Sequence, residues 1–267
     1  MTPEERGALY AGRIEVVAGD GALEALIAAL WARLSAQFAP LDPVLAYDAL
    51  GNDAFFERFA PLRQGLPHDE AVVRLAERAL SSLGVDRRAY RVDRPRIRAV
   101  SSGAHEVPAA RPAYGQHRDT WYANPQAQLN HWIPLHEVLD EERMGFFPEH
   151  FDRPIENGSA GFSLEGWRAR GGFQAYAKPQ PTEQFHPTPL RPLPWAEAKR
   201  FSVPRGSVLR FSAQHLHGTV PHRSGRTRYT LELRVVHEAD HRAGVGAPNV
   251  DCASQGDASE DYLPTRA

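Results

Sequence analysis

Disulfide chemistry has almost nothing to work with in this chain. Cys252 is the single cysteine, so an intramolecular disulfide framework is impossible and a zinc site built on paired cysteines is excluded. No apolar run approaches the ~18 residues a membrane span needs, and the first residues, Thr2-Pro3-Glu4-Glu5, are acidic where a secretory leader is basic. A soluble, cytoplasmic protein is the expectation, with no membrane partner. Charge of one sign is also missing: 31 basic residues stand against 33 acidic ones, without a block of either, which removes the electrostatic motive for binding nucleic acid. A small-molecule substrate is expected instead. There is no internal repeat or low-complexity tract, and nothing fixes an oligomeric state.

The 42% hydrophobic and 24% charged residues are those of an ordinary globular protein. At 267 residues the chain is near the size where single cores stop growing, so one catalytic domain over 1–267 is expected. Residues 1–93 read as a mainly helical layer. Thr2, Pro3 and Glu5 make a capping-box start. Leu23, Leu26, Ile27, Leu30, Trp31, Leu34 and Phe38 form one helical stripe over 22–38, and Val72, Leu75, Ala76, Leu80 and Leu83 another over 69–83, with Gly84 as its stop. From 94 to 238 short strands take over: 96–100, 128–133, 207–212 and 229–235. Between 141 and 204 proline and glycine break every period, which predicts an irregular lid insertion. Residues 239–267 form a polar C-terminal tail that either wraps the domain or frays. The fold class is thus α+β with a mainly β core, of sandwich or barrel type.

The densest chemical signal is Gln116-His117-Arg118-Asp119, followed far along the chain by Gln214-His215-Leu216-His217-Gly218. Two imidazoles and one carboxylate can cap one face of an octahedral Fe(II) and leave three adjacent positions open. In an extended segment His117 and Asp119 point to one side while Arg118 points away. An HxD tripeptide alone is a weak motif. It gains weight from Arg228 and Thr230, a guanidinium and a hydroxyl on one strand face, suited to fixing the remote carboxylate of a dicarboxylate such as 2-oxoglutarate.

HxD, a distant His, then Arg-x-Thr resembles the signature of Fe(II)/2-oxoglutarate oxygenases. The runs from Gly115 to Pro134 and from Gly206 to Ser212 are similar to the phytanoyl-CoA dioxygenase-like branch. The resemblance covers roughly Arg96 to Val236 and implies a double-stranded β-helix (jelly roll, cupin-like) with an N-terminal helical layer. It implies His117, Asp119 and His217 as metal ligands, Arg228 as the cosubstrate anchor, and Fe(II), 2-oxoglutarate and O2 as the reactants around them. The implied reaction is hydroxylation of an unactivated C–H bond with release of succinate and CO2; desaturation and ring closure would use the same centre. Because Asp119 holds the carboxylate position, no ligand site is vacated for halide. The segment from Met144 to His150 departs from the branch's usual Gly-rich, Pro-Gly-Ser-His run, so the resemblance does not extend to the lid or the substrate.

Each assignment has a competitor. His215 rivals His217 as distal ligand, with His217 preferred; His222 reads as a loop residue. Along 128–133, Asn130 and Trp132 are expected to face the cavity and His131 to pack outward. Asn130 is either a cosubstrate contact or a satisfied buried amide. Trp132 is a substrate contact or core filler, and Arg234 touches substrate or pairs with an acidic neighbour. Arg96 and Arg98 are open in the same way. His105, His136, His150, His186, His237 and His241 read as surface or structural. Phe146, Phe147, Trp167, Phe173 and Tyr176 line a substrate pocket or form the lid's own core. No catalytic side chain beyond the metal centre is required. Two other classes fit parts of the pattern: a cupin-type metalloenzyme, isomerase-like and independent of 2-oxoglutarate, and a metal-free small-molecule binding module.

Overall fold

Capping chemistry starts the helices where the sequence places it. In the computed structural model, which describes residues 1–108, 110–171 and 186–266, α1 (Pro3–Tyr10) opens with the reciprocal Thr2–Glu5 capping box. After β1 (Glu15–Ala18), α2 (Gly21–Phe38) is capped by the Asp20 carboxylate, which accepts from the N–H groups of Ala22 and Leu23. The stripe of Leu23, Leu26, Ile27, Leu30, Leu34 and Phe38 is buried, each side chain contributing ~1.5–3 kcal/mol on leaving water. The short α3 (Ala46–Leu50) and the longer α4 (Asn52–Gly65) follow, then α5 (Glu70–Ser82), capped by Asp69. Gly84, at φ 85°, carries the left-handed turn beyond it. No helix among the described residues is long and apolar enough to cross a membrane.

The rest is strands: β2 (Tyr90–Val92), β3 (Arg96–Ser101), β4 (Gln128–Pro134) and β5 (Met144–Phe146), then β6 (Lys199–Arg200), β7 (Ser207–Ser212), β8 (His217–Thr219) and β9 (Thr227–His237). Two short helices, α6 (Leu164–Ala169) and α7 (Glu238–Arg242), follow β5 and β9. Among the described residues all strand pairs are antiparallel. A six-stranded sheet runs β1-β7-β4-β9-β2, with β3 also paired to β9, and a three-stranded sheet runs β6-β5-β8. The fold is therefore a β-rich α+β arrangement. The segment expected as an irregular insertion, 141–204, supplies β5 and β6 of the smaller sheet. Phe173 and Tyr176 lie outside the described residues.

The large sheet is buried on both faces, and β9 shows why the two faces differ. Tyr229, Leu231, Leu233 and Val235 join the main core with the helices. The alternate residues, Arg228, Thr230, Glu232 and Arg234, are polar and face the other way. On that side Trp132, Leu209 and Phe211 of the large sheet pack with Met144 and Phe146 of the small one. Most of those polar residues are also buried: Arg228 is 2% exposed, Thr230 1% and Arg234 7%. Charged side chains kept from water inside a fold are expensive unless partnered, so this face marks where the chemistry sits.

Candidate metal centre

The main chain brings the two histidines together first. His117 and His217 form an isolated antiparallel bridge: each N–H donates to the other's carbonyl, at 2.9 and 3.0 Å. Gly218 permits this approach, since a Cβ there would lie 3.0 Å from the Gly115 carbonyl and 2.9 Å from Trp195. His217 opens β8, but the HxD segment is not the strand the sequence suggested. His117 has only this one bridge, and Asp119 begins a single turn of 3-10 helix, Asp119–Tyr122. Arg118, between them, keeps extended dihedrals (φ −100°, ψ 140°), so His117 and Asp119 still fall on one side.

One ligand atom from each of His117, Asp119 and His217 lies within 4.8 Å of the others. His117 Nε2 is 3.3 Å from Asp119 Oδ1, and His217 Nε2 is 4.0 Å from it. The opposite ring nitrogens are occupied: Nδ1 of His117 donates to the Gly115 carbonyl at 3.0 Å and Nδ1 of His217 to the His215 carbonyl at 2.9 Å. A carbonyl only accepts, so in the neutral rings the proton sits on Nδ1 and both Nε2 lone pairs point inward. Burial, then the neighbouring His117, pushes His217 down to about 4, which keeps it neutral. Burial pushes the Asp119 carboxyl up, but Arg234 and the two imidazoles outweigh that and hold it well below the usual carboxylate range. Two imidazole Nε2 atoms thus converge on one carboxylate oxygen. That donor set fits a divalent cation of the Fe(II) or Zn(II) kind.

Asp119 is steered by amides. Its Oδ2 accepts from Asn130 Nδ2 at 2.7 Å and from Gln128 Nε2 at 3.3 Å, which leaves Oδ1 toward the imidazoles. Asn130, read in the sequence as a cosubstrate contact or a satisfied amide, gives its donor to Asp119. Arg118 anchors the segment from behind. It is fully buried and donates to Asp251 at 3.1 Å and to the carbonyls of Gln214, His150 and Arg153. The other Asp251 oxygen accepts from Trp121 Nε1 at 2.8 Å. The C-terminal tail therefore wraps onto the centre.

The remaining candidates sort by contact. His215 is excluded from the triad because the chain turns at 213–215, its amide bonding the Ser212 carbonyl; its ring nitrogens face the carbonyls of Gly12 and Ser212. His131 packs outward, as its phase implied, and His222 lies in the loop after β8 with its ring on Ser224. Trp132 is buried under the guanidinium of Arg228, whose carbon is 5.6 Å from the ring centre. Arg234 pairs with Glu232 at 3.1 Å and with Asp93 at 3.9 Å; Arg98 pairs with Glu232 and Arg96 with Asp93. Phe146 stacks on His217 at 5.6 Å, and Phe147 meets Trp195 at 5.8 Å. Trp167 packs with Phe162 and Tyr122, and the Tyr122 ring is 5.5 Å from His117. His186, which no ligand spacing marked, accepts from or donates to the Tyr122 hydroxyl at 3.2 Å and so borders the His117 side.

Arg228 differs from the other arginines on this face. One amino group donates to the Glu142 carbonyl and the other to Thr219 Oγ1 at 3.4 Å, while its Nε and the nearby Thr230 hydroxyl have no partner among the described residues. Among the described residues it has no carboxylate within ion-pair distance. Burial pushes it down to about 10, the direction expected of a cation without a counter-ion.

No family model matches the chain, and no curated protein does. Solved structures do. The chain is similar to the non-heme monooxygenase ThoJ in its apo form, at a TM-score of 0.53 and 12% identity, covering 98% of this chain and 87% of that one. It is also similar to EvdO2 from Micromonospora carbonacea var. aurantiaca, at 0.47 and 15%, covering 89% and 91%, and to the non-heme alpha ketoglutarate dependent epimerase SnoN from nogalamycin biosynthesis, at 0.39 and 15%, covering 88% and 84%. The first likeness shows a shared fold; the other two superpose too loosely to add to it.

Proposed function

We propose that this chain is an Fe(II)- and 2-oxoglutarate-dependent oxygenase on a double-stranded β-helix, hydroxylating an unactivated C–H bond of a small molecule. The observation that carries the reading is the buried guanidinium of Arg228, without a carboxylate among the described residues, beside the Thr230 hydroxyl and on the sheet face whose Asn130 holds Asp119. The link is β4: Asn130 touches Asp119 and Trp132, one same-face step of roughly 7 Å along the strand, touches Arg228. A dicarboxylate with one end at the triad and the other at Arg228 would supply the counter-ion this cation lacks. The shared fold with a protein described as a non-heme monooxygenase supports the same reading.

When bound, Fe(II) would supply oxygen activation coupled to oxidative decarboxylation of the cosubstrate, chemistry no side chain performs alone. The chain's own contributions are positional. His117 and His217 turn Nε2 toward the centre because each Nδ1 faces a main-chain carbonyl. Asp119 offers one oxygen because two amides hold the other. Trp132 covers one face of the Arg228 guanidinium and keeps water from it. Phe146 and Phe211 pack against the His217 ring and exclude solvent on that side. A 2-oxoglutarate-independent isomerase-like metalloenzyme would leave Arg228 without a purpose, and a metal-free binding module would not need the converging lone pairs. Localisation in the cytoplasm and a small-molecule substrate belong to the same proposal.

The test is anaerobic addition of Fe(II) and then 2-oxoglutarate, watching for the visible metal-to-ligand charge-transfer absorption. It is expected in the unaltered protein and absent in His117→Ala. Absorption that survives in that variant removes His117 from the ligand set, and none in the unaltered protein removes the cosubstrate.

A further inference from the structure

The amide that steers Asp119 is itself steered from the C-terminal tail. Gln128 is fully buried and donates through Nε2 to Asp119 Oδ2 at 3.3 Å and to Asn130 Oδ1 at 2.9 Å. Its carbonyl oxygen accepts from the Tyr262 hydroxyl at 2.5 Å. The same hydroxyl lies 3.3 Å from Asn124 Oδ1, and the Asn124 amide donates to the main-chain carbonyl of Asp119 at 2.8 Å. Tyr262 therefore meets, through two amides, both the side chain and the backbone of one residue.

Polarity makes this arrangement directional. A carboxylate accepts only, so Gln128 must turn its NH2 toward Asp119, and its oxygen then faces Tyr262. A phenol at neutral pH is a donor, which holds that orientation. Without it the Gln128 oxygen loses its donor, and only the Asp119 and Asn130 acceptors on the other side of the amide oppose a half-turn that would set that oxygen against the Asp119 carboxylate. The tyrosine is fixed in turn. It is 6% exposed, Leu263 exchanges main-chain bonds with Val92 at 2.9 and 3.1 Å, and Ala258 N–H donates to the Ala123 carbonyl at 2.7 Å.

We propose that Tyr262 is a positioning residue for the metal carboxylate, acting through Gln128 and Asn124 to hold Asp119 as a one-oxygen ligand. This rests on the reading of the triad as a metal site. Outer partners of this type change metal affinity by about 10–100-fold when removed.

The experiment is titration of the full-length metal-free protein with Co(II), reading both the dissociation constant and the visible Co(II) absorption. Tyr262→Phe is expected to weaken Co(II) by about 10-fold and to alter the band shape as the carboxylate changes its mode of coordination. Gln128→Leu should do the same, and the double variant should be no weaker than Gln128→Leu alone. Arg266→Ala, which removes a surface pair to Glu77 on the same tail, should leave Co(II) binding unchanged. Equal Co(II) affinity in Tyr262→Phe and the unaltered protein, or losses that simply add in the double variant, overturns the proposal. Failure of the unaltered protein to bind Co(II) is a separate result: it overturns the metal reading, and this proposal with it.

Discussion

Arg228 sets two quantities against each other. A buried guanidinium lacking a carboxylate lowers the stability of the cosubstrate-free protein, and a dicarboxylate that enters recovers that loss as binding energy. Arg228→Met should therefore raise the urea midpoint of the cosubstrate-free protein by the equivalent of about 1–4 kcal/mol while abolishing measurable 2-oxoglutarate binding. A variant both less stable and still able to bind would show that the guanidinium has its partner elsewhere. The convergence of His117, Asp119 and His217 was legible because extended backbone at Arg118 puts the HxD pair on one side, toward the distant histidine. What surrounds them was not. Tyr262 carries no spacing that relates it to Gln128 and Asn124, since hydrogen bonds between residues over a hundred positions apart leave no local pattern. His186 meets Tyr122 across 64 positions and is equally silent in the sequence. For His215 the two-residue phase misled, because the turn at 213–215 removes the extended backbone on which phase depends.

Elements were readable where one period ruled a whole segment. α2 and α5 declare themselves by stripe and cap, and β9 by alternation. Four residues of β1 between two helices, and α4 with Pro61 inside it, lack such a period, and only the sheet edge at β7 and the helical layer give them their form. The tail after α7 is the clearest case. Its order comes from single polar contacts, chiefly Asp251, whose carboxylate takes Arg118, Trp121 and the Ile155 N–H together. Arg118 is 0% and Asp251 4% exposed at the side chain, so removing the charge strands a buried cation. Asp251→Asn should destabilise the protein by roughly 3–5 kcal/mol, seen as a lower urea midpoint at unchanged slope. A loss below about 1 kcal/mol would mean that the four remaining carbonyl and amide contacts, not the ion pair, hold this segment.

Across the whole molecule, buried neutral imidazoles tie stability to acidity. His131 lies between the large sheet and the helical layer, 1% exposed. Burial, then Arg210, pushes it from 6.5 down to about 3. Its folded value is depressed, so below 6.5 the unfolded chain takes up the proton first. The stability it carries is complete above that pH and lost progressively as pH falls toward about 3. His131→Leu should flatten the decline in urea midpoint between neutral pH and pH 5; an unchanged slope would assign the acid sensitivity to other buried histidines.

The centre also straddles the two sheets. His117 and His217 hang from the small one through their mutual bridge, while Asp119 is tethered by Asn130 and Gln128 to β4 of the large one. A cation seated among them would act as a rivet: the sheets could not slide or part without pulling its ligands from one another, so loading the ion should stiffen both sheets, and loosening at a remote seam should loosen the ion's grip by the same free energy.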